Sequence, residues 1–180
     1  VVLRKYRQWS SGTSYQRKVE QIVRMISDQF SKGKKALIDS NHSLVNESIK
    51  VLDLIERYLG RHVKGACQKS TKLMQSSSEI FLDLCERAKI ILQSEDKMQF
   101  EGIFFDYRGL ILEVPCVMEY EPCKKAFALT NHLVHDALES DMKDISTSLE
   151  AFDYDTLKTT IRNARKFGGF VADECSLLRE

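Results

Sequence analysis

Apolar residues recur along most of this chain at steps of three and four, the spacing that gathers side chains on one face of an α-helix. Val19, Ile22, Val23, Ile26 and Phe30 form a first row, which extends to Leu37 if a helix survives Gly33. Leu44, Val45, Ile49, Leu52, Ile55, Tyr58, Leu59 and Val63 form a second. The third comprises Leu73, Ser77, Ile80, Phe81, Leu84, Cys85, Ala88, Ile91 and Leu92. A fourth runs through Phe127, Thr130, Leu133, Val134, Ala137, Leu138, Met142, Ile145, Leu149 and Phe152. Both prolines, Pro115 and Pro122, lie within one short stretch, so the remainder is free of the ring that interrupts helices.

The last row is narrower. Leu157, Ile161, Ala164, Gly168, Val171, Cys175 and Leu178 step alternately by four and three, a seam of the coiled-coil type in which Ala164 and Gly168 admit a close neighbour. Gly168-Gly169 could break this helix, but the row keeps its phase across the pair, which favours continuity. Segment 98–114 is open to two readings. Phe100, Ile103, Phe104, Tyr107, Ile111 and Val114 fit a helical row, whereas Arg108-Gly109 between two apolar runs fits a short hairpin. Periodicity favours the helix.

Local signals place the boundaries. Thr13 with Gln16 and Ser76 with Glu79 have capping-box spacing, and Ser43, Ser94 and Asp153 are further cap candidates. Pro122 suits a first helical turn, and Gly33 and Gly65, with basic residues nearby, read as stops. The expected architecture is all-α, an elongated antiparallel bundle of five to six long helices. Residues 1–180 are expected to form one helical domain, with 1–93 and 94–180 as candidate sub-bundles. The chain starts at Val1 without a methionine and ends within a helical pattern, as expected of a piece of a longer protein.

Composition narrows the class. Of 180 residues, 43% are hydrophobic, which argues against disorder, and no apolar run reaches the roughly 18–20 residues of a membrane span. No apolar stretch comes after the basic residues Arg4, Lys5 and Arg7, so nothing reads as a secretory signal. Five scattered cysteines do not suggest a disulfide framework; Cys67, Cys85 and Cys175 lie beside apolar residues at helical spacing, as reduced core thiols of a cytoplasmic protein do.

Charge changes the picture once it is divided. The whole chain carries 27 basic and 26 acidic residues, yet residues 1–72 hold 15 and 6, and residues 73–180 hold 12 and 20. The basic part contains Lys50, Arg57, Arg61, Lys64, Lys69 and Lys72, of which the first four share a stripe if a helix continues through Gly60. Such a stripe is a candidate site for nucleic acid or an acidic membrane surface. The few aromatic residues among them form no stacking platform, and a solvated helix face explains the pattern as well.

Catalytic and metal chemistry find little support. Cys116, Cys123, His132 and His135 offer zinc-type donors, but their spacing is not that of a knuckle. None of the four histidines lies in a nucleophile motif. Ser31-Lys32-Gly33-Lys34-Lys35 lacks the upstream glycine and following Ser/Thr of a phosphate loop, and Asp153-Tyr154-Asp155 lacks the remaining positions of a calcium loop. The sequence therefore predicts no catalytic residue, cofactor or metal. It points to a non-enzymatic helical protein–protein interaction module of an intracellular scaffold, adaptor or tethering protein, with a helical partner or a second copy. Binding of an anionic surface by the basic half is the alternative.

Overall fold

A computed structural model describes residues 12–59, 68–94 and 97–177, with side-chain detail for 16–59, 68–94 and 99–167. The described residues form six α-helices and two short 3-10 turns, with no strand. The helices are α1 (Gly12–Ile38), α2 (His42–Leu59), α3 (Lys69–Leu92), α4 (Glu101–Glu113), α5 (Glu121–Glu150) and α6 (Tyr154–Leu177). The 3-10 turns, Lys97–Phe100 and Pro115–Glu119, flank α4 on either side. The fold is all-α, and the helical reading of 98–114 holds in place of the hairpin. Contacts divide the chain into two compact units, Val1–Ser77 and Ser78–Glu180.

In the first unit, α1 and α2 form a helical hairpin. The expected stop at Gly33 is corrected, because α1 continues through it to Ile38. Gly33 is there for close approach. A Cβ on it would lie 2.5 Å from Leu73 Cδ2 and 2.9 Å from Ser48 Cβ, so only a bare backbone lets α2 and the start of α3 pack this closely. The core around it contains Ile26, Ala36, Leu37, Val45, Ile49, Leu52 and Leu73, and Gln29 Nε2 donates to Ser48 Oγ across the hairpin at 3.1 Å.

Two cap assignments in this unit also change. Asn41, not Ser43, caps α2: Leu44 N–H donates to Asn41 Oδ1 at 3.1 Å. The Ser76–Glu79 pair starts no helix, since α3 begins at Lys69. Its first amides are satisfied from outside the helix, by Glu56 of α2. Glu56 Oε1 accepts from Lys69 N–H at 3.0 Å and Ser70 N–H at 3.2 Å, and Ser70 Oγ donates to Glu56 Oε2. A cap supplied by another helix leaves no local spacing to read. Thr13 likewise lies inside α1, which begins at Gly12, and Gly65 falls outside the described residues.

The second unit is built around Tyr107 of α4. Its ring stacks on Phe81 of α3 at a centroid distance of 5.4 Å and on Phe127 of α5 at 6.0 Å, and meets Phe100 edge-on at 6.4 Å. Phe100 in turn contacts Phe167 of α6 at 6.3 Å. Aromatic rings at these separations combine large buried area with favourable edge and offset geometry. Ser94 closes α3, its Oγ donating to Ile91 O at 2.7 Å, and so does not open a helix. Pro122 lies in the first turn of α5, where its missing N–H costs nothing.

Helices α5 and α6 pack along each other as a second hairpin. Helix α6 runs unbroken across Gly168-Gly169. Of the expected seam, Leu157, Ile161 and Ala164 are half-buried. The side chains of Val171 and Cys175, the surroundings of Gly168, and Leu178 altogether, lie outside the described residues. Phe167, at the flank of that row, is fully buried.

Candidate functional site

The two hairpins share one turn design. At the end of α1, Ser40 adopts φ 51°, and Asn41 N–H donates back to Ala36 O at 2.8 Å before its side chain caps α2. At the end of α5, Phe152 adopts φ 55°, and Asp153 N–H donates back to Ser148 O at 3.0 Å. Asp153 Oδ1 then accepts from Thr156 N–H at 3.1 Å, which caps α6 as the sequence predicts. Hydrogen bonding from the Thr156 hydroxyl first, and from its N–H next, holds the Asp153 carboxyl below its ordinary pKa. A left-handed residue followed by a capping Asn or Asp ends one helix and starts the next within three residues. A bulky Phe at the left-handed position is an outlier that costs about 1–2 kcal/mol.

Beyond the turns the two hairpins diverge. On α5, Phe127, Asn131, Leu138, Met142, Ile145 and Leu149 fall on one face by helical phase. Near the start of α5, α4 covers this face: Phe127 stacks on Tyr107, and Tyr107 Oη donates to Asn131 Oδ1 at 3.4 Å. Helix α4 has 13 residues and α5 has 30. At 1.5 Å per residue these are about 20 Å and about 45 Å. The face therefore outruns its cover. Met142 is 65% exposed, Leu149 57%, Phe152 74% and Tyr154 69%.

A shallow groove of about 570 Å³ lies along α6. Tyr154, Leu157 and Ile161 line it together with Lys158, Arg162 and Arg165. By helical phase Met142 and Leu149 lie to one flank of the buried α5 positions Ala137 and Ser148, and Lys158 and Arg165 lie to the corresponding flank of Leu157 and Ala164 on α6, which for antiparallel helices is the same side. The open side of the hairpin is thus an apolar strip, bounded on the α6 edge by three exposed cations and on the α5 edge by Glu139 and Glu150.

Sequence reasoning missed this site in part. Lys158, Arg162 and Arg165 have the same i, i+4, i+7 spacing as Arg57, Arg61 and Lys64. The net acidity of residues 73–180 hid them, since the acids concentrate on the last half of α5 and the cations on α6. Met142 and Leu149 were visible only as members of a core row.

Of the predicted basic residues, Lys50, Arg57 and Lys72 are exposed, and Arg57 pairs with Asp53 at 2.6 Å. Lys69 Nζ sits 4.4 Å from the centre of the Phe30 ring, with Lys34 Nζ on the same ring at 5.8 Å. Arg61 and Lys64 lie outside the described residues.

The zinc-type donors are not brought together. Cys123 is buried with Sγ directed at Ser78 O, 3.7 Å away. His132 and His135 are exposed and pair with Asp136 at 3.1 Å and Glu139 at 3.5 Å. Among the described residues, the one group with mutually close donors is His135, Asp136 and Glu139, all of it exposed. Cys85 is buried as expected, and burial pushes its thiol up to about 11, partly offset by a hydrogen bond with Thr130. Burial also raises the Cys116 and Cys123 thiols. Among the described residues, no helix is long and apolar enough to cross a membrane. No protein-family model, curated protein or solved structure matches this chain.

Proposed function

We propose that the chain is a non-enzymatic, helical protein–protein interaction module that docks a helical partner on the open side of the α5/α6 hairpin, within a scaffold, adaptor or tethering protein. The observation that carries this reading is the apolar row of α5, covered by α4 at Phe127 and Asn131 and bare at Met142 and Leu149. Exposed apolar residues are ordinary when scattered; a contiguous strip between charged edges is the form of a docking surface. An amphipathic helix laid along it would bury its apolar face and meet charge at both rims.

Phe152 adds a second support. Strain at an exposed aromatic persists where it serves a purpose, and a projecting ring at the hairpin tip extends the strip. Free thiols at Cys85, Cys116 and Cys123 suit a reducing compartment such as the cytoplasm. Binding of nucleic acid or acidic lipid by the first 72 residues is the weaker reading, because Arg57 and Lys69 are engaged within the fold.

Site-specific photocrosslinking in cells tests the reading. A crosslinking residue in place of Met142 is expected to give a discrete protein adduct. The same residue in place of exposed Asp83 on α3 is expected to give none. Equal labelling at both positions, or no protein adduct at Met142, overturns the proposal.

A further inference from the structure

We infer that the occupant of the open α5/α6 face is a second copy of the same chain, packed as a two-fold four-helix bundle in which α5 of each copy lies along α6 of the other. The inference rests on the reading of that face as a docking surface and adds the partner. A two-fold interface must be self-complementary, because the same patch serves both sides. This patch meets the requirement in shape and in charge.

In shape, each hairpin offers two parallel apolar rows, Met142 and Leu149 on α5 and Leu157 and Ile161 on α6. Two such faces laid together bury all four rows in one core, the arrangement of a four-helix bundle. A two-fold axis along the hairpin sets α5 of one copy over α6 of the other, and the two run antiparallel.

In charge, residues 136–150 hold Asp136, Glu139, Asp141, Asp144 and Glu150 against Lys143 alone. Residues 154–167 hold Lys158, Arg162, Arg165 and Lys166 against Asp155 alone. An acidic helix and a basic helix in one hairpin make the patch its own complement. Residues equidistant from Phe152 lie level in the hairpin, so Glu139 is level with Arg165 and Glu150 with Tyr154. The axis along the hairpin keeps those levels between copies. It brings Glu139 beside Arg162 and Arg165 of the second copy, and Glu150 near Lys158. A foreign helix would have to supply acid at one rim and base at the other; a second copy already does.

Sedimentation equilibrium of the purified chain over a concentration series reads the result. The expected species approaches twice the 20.7 kDa chain mass. Leu149→Asp and Met142→Asp replace exposed residues and are expected to give a folded monomer by circular dichroism. Two paired charge reversals give the sharper test. Lys158→Glu with Arg162→Glu and Arg165→Glu, and separately Glu139→Arg with Glu150→Arg, should each weaken association roughly tenfold or more. Mixing the two variants should restore it, since each then meets the opposite charge across both rims. A monomeric wild-type chain at every concentration overturns the inference, as does a dimer indifferent to both reversals or a mixture that stays monomeric. If in those cases Met142 still crosslinks to a different protein, the docking surface stands and only its occupant changes. If it crosslinks to no protein, both fall.

Discussion

The hairpins α1/α2 and α5/α6 begin from the same turn and end in different states. Each closes with a left-handed residue and an Asn or Asp that ends one helix and caps the next. Beyond the turn, α1/α2 packs so tightly on the start of α3 that Gly33 has no room for a methyl group. Helices α5 and α6 instead carry exposed Met142, Leu149 and Tyr154 past the end of their cover. The turn is a local device that makes a hairpin wherever it occurs. Whether the hairpin is finished depends on the length of the element laid against it, and α4 is less than half as long as α5.

Removing the cover is the strongest way to break this contrast. Tyr107→Ala deletes the ring that joins Phe81, Phe100 and Phe127, and is expected to cost about 3–5 kcal/mol in chemical denaturation. Exposed Phe105, two residues away, should tolerate Ala with little change.

Filling the tight contact in the other hairpin comes next. Gly33→Val is expected to cost about 3 kcal/mol, because Leu73 and Ser48 must both move. Gly102 in α4 is the control. A Cβ there meets nothing within 4 Å, so Gly102→Ala should gain up to about 1 kcal/mol.

The turns themselves are worth less. Asn41→Ala should lose about 1 kcal/mol by leaving the Leu44 N–H unsatisfied. Phe152→Gly should move the other way, gaining up to about 1 kcal/mol as the left-handed strain is relieved, while weakening association at the hairpin tip. Thermal melts check both, and a loss of stability in Phe152→Gly would argue that the ring packs more than its exposure shows.

The smallest effects are protonic. Cys85 is pushed up to about 11 from 9.0, so its contribution is complete below pH 9 and is lost as pH rises from there through about 11. Its thiol should resist alkylation at pH 8 in the folded chain and react on unfolding. Asp153 is lowered by its hydrogen bonds from Thr156, so its contribution is present above pH 3.8 and disappears as pH falls through the depressed value. A titration of melting temperature should therefore decline at both extremes.

Periodicity alone carried the helix type for all six helices, including α4, where Arg108-Gly109 suggested a turn. The α6 cap at Asp153 was legible because donor and acceptor lie three residues apart. The α3 cap was not, because Glu56 reaches it from another helix. Gly33 misled for a related reason, since a glycine in a helical row reads as a stop unless the neighbour that demands it is known.

The sequence by itself determined that the chain is helical, where most of its apolar faces lie, and that its charge is unevenly divided. Local spacing suffices for these, because a helix places residues three and four apart together whatever surrounds it. Only the tertiary structure decided which apolar faces are covered. Met142 and Leu149 belong by spacing to the same row as Phe127, and nothing within the row distinguishes them. The distinction comes from α4, which ends before it reaches them. Burial depends on the partner surface as well as on the residue, and that surface comes from elsewhere in the chain or from another molecule.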